Sequence, residues 1–541
     1  MMSVSIASLK KPLPMPAPAT RLGIRPVDVL LLIVSAFNVI GYTIFAAVYD
    51  RAGFPLDDSW IHQVYARNLA RHGEWAYIPG QPSAASSSPL YTALLAIGHL
   101  VGLSPVLWAH LLGVLSLFIA GAMSVRIAER LFPHLKWVGL GTGLLVISSW
   151  HLIWSAASGM ETMQFIAIGF VLIYRLFQEP TLSQDNPQAV FKNGIIIGLI
   201  SGLLYLTRPE GLVLLGWGML LIWICRVHPD FRTFVIWSLG VALGAAVIII
   251  PYILINLSLV GEALPSTVRA KIAYNAGFRE KPITTRIWTM TIVIMAGAQL
   301  LWLPAVVGGV AALIRQKPTS DKPSLKWLHL LPLLWGLTHH ILYIIVMPVY
   351  YHHGRYVIPV IPALLLYAVG GMLLFVDWGK NNAPKRVLTR TLALSAIFAV
   401  PGFWWIGGKV YAEDVQIINT EMVKASKWVE INVPKDQVFA VHDIGALGYF
   451  APREHVFDIA GLVTPEVVPI ILDREKTMTL MCKKGAQWMM VLTTQNPADD
   501  DDPRTILVYS TNSPYLKEAA GDNMKVYKLD WTKGVTPGCT D

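Results

Sequence analysis

The sequence predicts a polytopic all-α membrane protein of about 11 to 13 transmembrane helices, followed by a small C-terminal α/β domain outside the cytoplasm. Three observations carry this. The chain has 541 residues, 54% hydrophobic and only 14% charged, whereas a soluble domain holds about 25% charge. Apolar runs close to the roughly 20 residues that a bilayer demands recur until about residue 406 and then cease. The charge divides at the same place: residues 1–406 carry 29 Lys/Arg against 15 Asp/Glu, and residues 407–541 carry 14 against 19. This composition excludes a single soluble domain, a disulfide-built scaffold and a disordered chain. Basic loops between spans account for the net charge of +9, so nothing points to a nucleic-acid partner.

Residues 1–26, with Lys10, Lys11, Arg21 and Arg25, form a cytoplasmic lead. The apolar run 27–48 has no small-residue cleavage pattern at its end and is longer than a signal-peptide core, so it reads as an uncleaved first span. The other candidate spans are 105–125, 138–157, 160–177, 194–208, 210–225, 233–254, 287–314, 327–347, 357–377 and 390–406. Stretch 89–103 reads as a re-entrant or tilted helix, or as a twelfth crossing. Lys and Arg favour cytoplasmic loops, which puts 1–25, 126–136, 226–232, 315–326 and 380–390 inside. The segments 49–88, 255–286, 348–356 and the tail from 407 then lie outside. The chain therefore divides into the lead 1–26, a membrane domain 27–406 with a first outer loop 49–88, and an extracytoplasmic domain 407–541.

Within the tail, periodicity predicts a helix over 415–431, and short strands are expected at 437–441, 455–459, 488–493, 505–510 and 524–529. The run Asp499 to Asp502 reads as a solvated turn. Cys482 and Cys539 can pair if the tail is outside the cytoplasm. No phosphate-binding loop, dinucleotide fingerprint or HExxH element is present, so no ATP-driven or nicotinamide chemistry is indicated.

Polar residues of unusual kind gather in the outer segments. Asp57 and Asp58 follow the first span directly. Adjacent carboxylates compete to be ionised, so one can hold a raised pKa and remove a proton from a hydroxyl nucleophile. The alternative is a pair of solvated acids capping a helix over 59–70. On that helix Asp58, His62 and Tyr65 share one face. Trp60, Trp75 and Tyr77 can lie against sugar C–H surfaces or anchor the interface. Ser86, Ser87 and Ser88 precede Pro89 at a helix start, which favours anions. Deeper, Thr207-Arg208-Pro209-Glu210-Gly211 puts an Arg and a Glu between apolar runs, either as a functional pair or as a kink held by an ion pair. In Tyr350-Tyr351-His352-His353-Gly354-Arg355-Tyr356, Arg355 can grip a phosphate with two parallel hydrogen bonds. The loop 255–286 adds Lys271 and Tyr274. The histidines lack the acidic spacing of a zinc site.

In their order, several segments resemble the GT-C superfamily of membrane glycosyltransferases, which use polyprenyl-phosphate sugars. These are Asp57-Asp58-Ser59-Trp60, Ser86-Ser87-Ser88-Pro89-Leu90-Tyr91, Thr207 to Gly211, Leu264 to Thr267 with Tyr274, and His352 to Ala363. The superfamily includes protein mannosyltransferases, aminoarabinose transferases and mycobacterial arabinofuranosyltransferases. A weaker likeness continues through Val441 to Tyr449 and Phe457 to Val463. The resemblance implies that Asp57 or Asp58 is the base or acceptor-orienting carboxylate, with Asp57 slightly favoured. It implies that Arg355 holds the donor phosphate, with Arg208 and Lys271 as helpers. His62, Trp60, Tyr65, Glu210, His353 and Tyr356 are the expected substrate-binding residues. No second outer-loop Asp-Glu motif is present, so the oligosaccharyltransferase branch is not expected.

The implied reaction is an inverting transfer of sugar from a polyprenyl-phosphate donor to a glycan, glycolipid or protein acceptor at the outer face of a bacterial inner membrane. No cofactor is required by these residues; a divalent cation could assist by neutralising phosphate, though the local ligands do not demand one. The competing reading is a transporter or flippase of a lipid-linked sugar.

Overall fold

The computed structural model describes residues 23, 25–182, 186–263, 265–315, 325–499, 501–514, 522–533 and 539. Of the residues named above, Lys10, Lys11, Arg21, Leu264 and Asp500 lie outside them.

Helix α1 (Pro26–Tyr49) leads to α2 (Asp58–His72), the two-stranded pair β1 (Ala76–Ile78) and β2 (Gln81–Pro82), and α3 (Pro89–Leu100). The chain continues through α4 (Pro105–Leu131), α5 (Val138–Ile147), α6 (Trp150–Ala157), α7 (Thr162–Gln178), α8 (Pro187–Thr207), α9 (Leu212–Ile224) and α10 (Phe231–Val260). Next come α11 (Ser266–Tyr274), α12 (Ala276–Glu280), α13 (Ile283–Met295), α14 (Gln299–Arg315), α15 (Leu331–Val346), the short turn α16 (Tyr351–Gly354), α17 (Val360–Gly379), α18 (Ala383–Ile418) and α19 (Lys424–Asn432).

All eleven apolar stretches fall on helix. Among the described residues, seven helices are long and apolar enough to cross a membrane, or nine if each of two bent pairs is one span. The remaining two stretches are shorter: α7 has 17 residues, and residues 209–224 form a short apolar helix. The bends have local causes. Ser148 and Ser149 separate α5 from α6 at 55°, and a break that includes Gly297 turns α13 into α14 at 101°. Stretch 89–103 is a 12-residue helix, α3. Glycines let α8 and α10 approach closely. A Cβ on Gly198 of α8 would overlap the Val241 carbonyl of α10, and one on Gly244 of α10 would overlap the Ile195 carbonyl of α8.

The helix expected over 415–431 is not separate from the last span. A π-helical turn at Asn419–Val423 joins α18 to α19, so one helical run of 50 residues, Ala383–Asn432, carries the chain into the tail. There β3 (Phe439–Val441), α20 (Ile444–Phe450), β4 (Val456–Asp458), α21 (Arg474–Lys483), β5 (Trp488–Leu492), β6 (Thr505–Ser510) and β7 (Met524–Leu529) follow. The sheet order is β4-β3-β5-β7-β6. β3 runs parallel to β4 and β5, while β7 runs antiparallel to β5 and β6. Cys482 and Cys539 form a disulfide. Asp502 is not a solvated turn acid; its carboxylate pairs with Arg504.

The tail is docked on the segment after α1 through α20. Asp57 accepts hydrogen bonds from the backbone N–H groups of Gly445 and Ala446 at 2.6 and 2.8 Å. At the other end, Arg67 donates to the carbonyls of Gly448 and Tyr449, both at 3.0 Å. An acid at the positive end and a cation at the negative end both suit the helix dipole. Trp60 packs against Tyr449 and Phe450, with ring centroids 4.8 and 4.7 Å apart. The Tyr77 hydroxyl donates to the Ile444 carbonyl at 2.6 Å.

Candidate active site

The residue that organises the site, Arg355, is aimed by a turn that helix sterics disfavour. His352, His353 and Gly354 take φ of +49°, +56° and +65° in succession, a left-handed region costing a non-glycine residue about 1–3 kcal/mol. Tertiary contacts hold it. His353 Nε2 lies 2.8 Å from Asp414 Oδ2 on α18, and Trp154 Nε1 donates to that same oxygen at 2.8 Å. His339 Nε2 donates to the Tyr356 carbonyl at 2.9 Å.

The turn brings Arg355 Nη2 to 2.6 Å from Asp58 Oδ2, and Lys271 Nζ from α11 reaches that oxygen at 3.1 Å. The Tyr356 ring lies beneath both cations, 4.8 Å from the Arg355 guanidinium carbon and 5.9 Å from Lys271 Nζ. Arg355 Nε is buried without a hydrogen-bond partner among the described residues. Two cations thus share one carboxylate. Burial works against the Asp58 charge, but Lys271 and Arg355 outweigh it and hold the carboxyl well below the usual range.

Asp57 faces the other way. Burial first, and then the charge of Asp443, push its carboxyl up to about 8, against the two N–H groups of α20 that favour the anion. The adjacent acids therefore differ in kind. Asp58 is a fixed anion, and Asp57 titrates close to the range where a base works best.

Two cavities meet at this centre. The larger, of about 650 Å³, lies between the helical part and the tail. It is lined by Asp57, Asp58, Lys271, Tyr274, Tyr351, His352, Arg355 and Tyr356 on one side and His442, Asp443 and Gln495 on the other. The smaller, of about 220 Å³, shares Lys271, Arg355 and Tyr356, and its remaining wall is largely apolar, with Val268, Ile272, Leu342, Val346 and Met347. Ser87, Arg208 and Glu210 also line it.

Of the residues singled out in the sequence, Asp57, Asp58, Lys271, Arg355 and Tyr356 converge on the junction, and Arg208 and Glu210 on the smaller cavity. Arg208 meets Glu210 only at 3.9 Å; its main partners are Glu161 Oε1 and Thr162 Oγ1, both at 2.8 Å. Glu161 also lies 3.4 Å from His62 Nε2.

Four other expected substrate-binding residues are held by partners within the protein. His62 is buried against Thr92, Ser86 and Glu161, and Tyr65 is bonded to Ser83. Trp60 is spent on docking α20, and His353 on Asp414. None of the four lines either cavity: Trp60 faces the tail, His62 and Tyr65 face the segment 83–92, and His353 faces α18. Asp58 and His62 do not share a partner.

Glu161, Asp414, Asp443 and Gln495 were not among the candidate site residues. Glu161 has a signal in hindsight, an acid between Gly159 and an apolar run. Asp414 and Gln495 have none. Among the described residues, no group of three or more His, Cys, Asp or Glu side chains is arranged to hold a metal ion.

A family described as a domain of unknown function, DUF8728, matches residues 409–534. No curated protein sequence matches the chain. Solved structures do. ArnT from Cupriavidus metallidurans bound to undecaprenyl phosphate is 14% identical, with a TM-score of 0.59 over 94% of this chain and 99% of that one. The apo oligosaccharyltransferase of Archaeoglobus fulgidus is 11% identical, with a TM-score of 0.59 over 86% and 69%. Arabinofuranosyltransferase AftD from Mycobacteria is 13% identical, with a TM-score of 0.53 over 93% of this chain and 40% of that one. The chain shares the fold of these structures, a membrane-type helical bundle with a small α/β tail.

Proposed function

We propose that the protein is a polyprenyl-phosphate-sugar-dependent glycosyltransferase of a bacterial inner membrane, acting with inversion on a glycan, glycolipid or protein acceptor at the extracytoplasmic face. The observation that carries this reading is the charge count at the junction of the cavities. Lys271 and Arg355 share the single carboxylate of Asp58, so these three groups carry one positive charge over, while Arg208 is taken up by Glu161 and Glu210. A sugar-phosphate-polyprenol is a phosphodiester with one negative charge, and it matches that excess. The apolar wall of the smaller cavity suits the first isoprene units, and the larger cavity suits the sugar. The ArnT neighbour in fold was solved with undecaprenyl phosphate, which supports the same class of carrier here.

In this reading the acceptor oxygen attacks the anomeric carbon while the bond from that carbon to the phosphate oxygen breaks. The bonding pair leaves on the phosphate, whose new charge Lys271 and Arg355 stabilise. The acceptor proton passes to Asp57, and one displacement inverts the centre. The two cations supply the neutralisation that a divalent ion would otherwise contribute. Arg208 and Glu210 are bound into a buried network with Glu161 and Tyr343 rather than lining a through-path, which favours transfer over transport.

Purified protein given labelled undecaprenyl-phosphate sugar and membrane glycan extract is expected to release undecaprenyl phosphate. The double variant Asp57→Asn, Asp58→Asn is expected to lose this with its helical circular dichroism intact. Undiminished release by that variant contradicts the reading.

A further inference from the structure

The wall of the larger cavity opposite the cations belongs to the tail, and its polar groups are His442, Asp443 and Gln495. Asp443 is held by His442 Nδ1 at 3.2 Å on one carboxylate oxygen and by Gln495 Nε2 at 3.0 Å on the other. An ionised carboxylate offers about four acceptor positions, so two remain. His442 Nε2 has no hydrogen-bond partner among the described residues, which leaves the imidazole serving Asp443. Its ring lies 5.0 Å from that of Tyr274, a half-exposed aromatic face on the same cavity. A fixed acceptor pair beside an aromatic face is the arrangement that a polyhydroxylated ring with apolar C–H surfaces fills.

We propose that Asp443, oriented by His442 and Gln495 and flanked by Tyr274, forms the acceptor subsite and binds the hydroxyls of a saccharide. The inference rests on the glycosyltransferase reading and narrows its acceptor from glycan, glycolipid or protein to a saccharide, free or as a glycolipid headgroup. A cationic peptide fits less well, because His442 already opposes the Asp443 charge.

Full-length protein in nanodiscs is examined by saturation-transfer NMR with the methyl glycosides of glucose, galactose, mannose and arabinose and with their decyl counterparts. Undecaprenyl phosphate binding is followed in parallel by native mass spectrometry. At least one methyl glycoside is expected to bind the wild type, and Asp443→Asn and Tyr274→Ala are each expected to weaken it more than about tenfold while undecaprenyl phosphate binds as before. A decyl glycoside held more tightly assigns the sugar to a glycolipid headgroup, and equal affinity assigns it to a free glycan; both support the subsite. No glycoside binding to the wild type, or unchanged binding to Asp443→Asn, overturns it. Loss of undecaprenyl phosphate binding by the wild type falls instead on the function proposed above.

Discussion

The Asp57 carboxylate accepts the Gly445 N–H at 2.6 Å across 388 residues of sequence, so the acid after the first helix is positioned by the first turn of α20. The contact needs a residue without a side chain. A Cβ on Gly445 would overlap the Asp57 carbonyl oxygen and come within 2.6 Å of its carboxylate. Gly445→Ala is therefore expected to cost about 1–3 kcal/mol in overpacking and to displace Asp57. Sugar-transfer rate is expected to fall at least about tenfold, with the thermal midpoint lowered. A rate equal to the wild type contradicts the role given to this contact.

Asp57 accepts a proton only when ionised. Since burial and Asp443 push its carboxyl up to about 8, kcat/KM is expected to rise with pH and reach half its plateau near that value. Asp443→Asn removes a negative neighbour, makes ionisation of Asp57 easier and is expected to move the midpoint downward. A pH profile of polyprenyl phosphate release on both proteins checks this. A midpoint that stays or rises in the variant contradicts the electrostatic assignment.

Asp414 never touches the cavities, yet it accepts from Trp154 and holds His353 in the turn before Arg355. Asp414→Leu leaves both partners unpaired, at about 1–3 kcal/mol for each buried group, and frees the turn. Donor kcat/KM is expected to drop about tenfold, with acceptor KM little changed. An acceptor-only effect, measured by varying each substrate separately, contradicts a link to Arg355.

Arg355→Ala removes one of the two cations on Asp58. It is expected to lower donor kcat/KM by about 100–1,000-fold, the scale for deleting a donor aimed at developing charge. Arg390→Ala, on the exposed face of α18, is expected to stay near the wild type. Equal losses in the two contradict the site.

Much of this was legible in the sequence, and the limits have physical causes. Apolar length marks the eleven candidate spans, and short runs set between Gly, Pro and Asp mark the five tail strands, whereas α11, α12, α20 and α21 carry no apolar run long enough to show. The breaks between α5 and α6 and between α13 and α14 were not legible, since Ser148, Ser149 and Gly297 are tolerated inside ordinary spans. The continuity of α18 with α19 was hidden for a related reason: the change from lipid to water alters composition without altering the helix. The residue types for the site were visible as costly polar groups among apolar ones. Their partners were not. Asp57 and Asp58 are neighbours in sequence whose environments come from Gly445 and Asp443 on one side and Lys271 and Arg355 on the other. No local pattern records which acid meets which.

In the proposed site the carrier phosphate is expected to sit against Lys271 and Arg355. A cryo-electron microscopy map of the protein in nanodiscs with undecaprenyl phosphate tests it directly. Phosphate density is expected within hydrogen-bond distance of Lys271 Nζ and Arg355, with the isoprene chain running along Leu342, Val346 and Met347. Density at another site, with Lys271 and Arg355 still on Asp58, would contradict it.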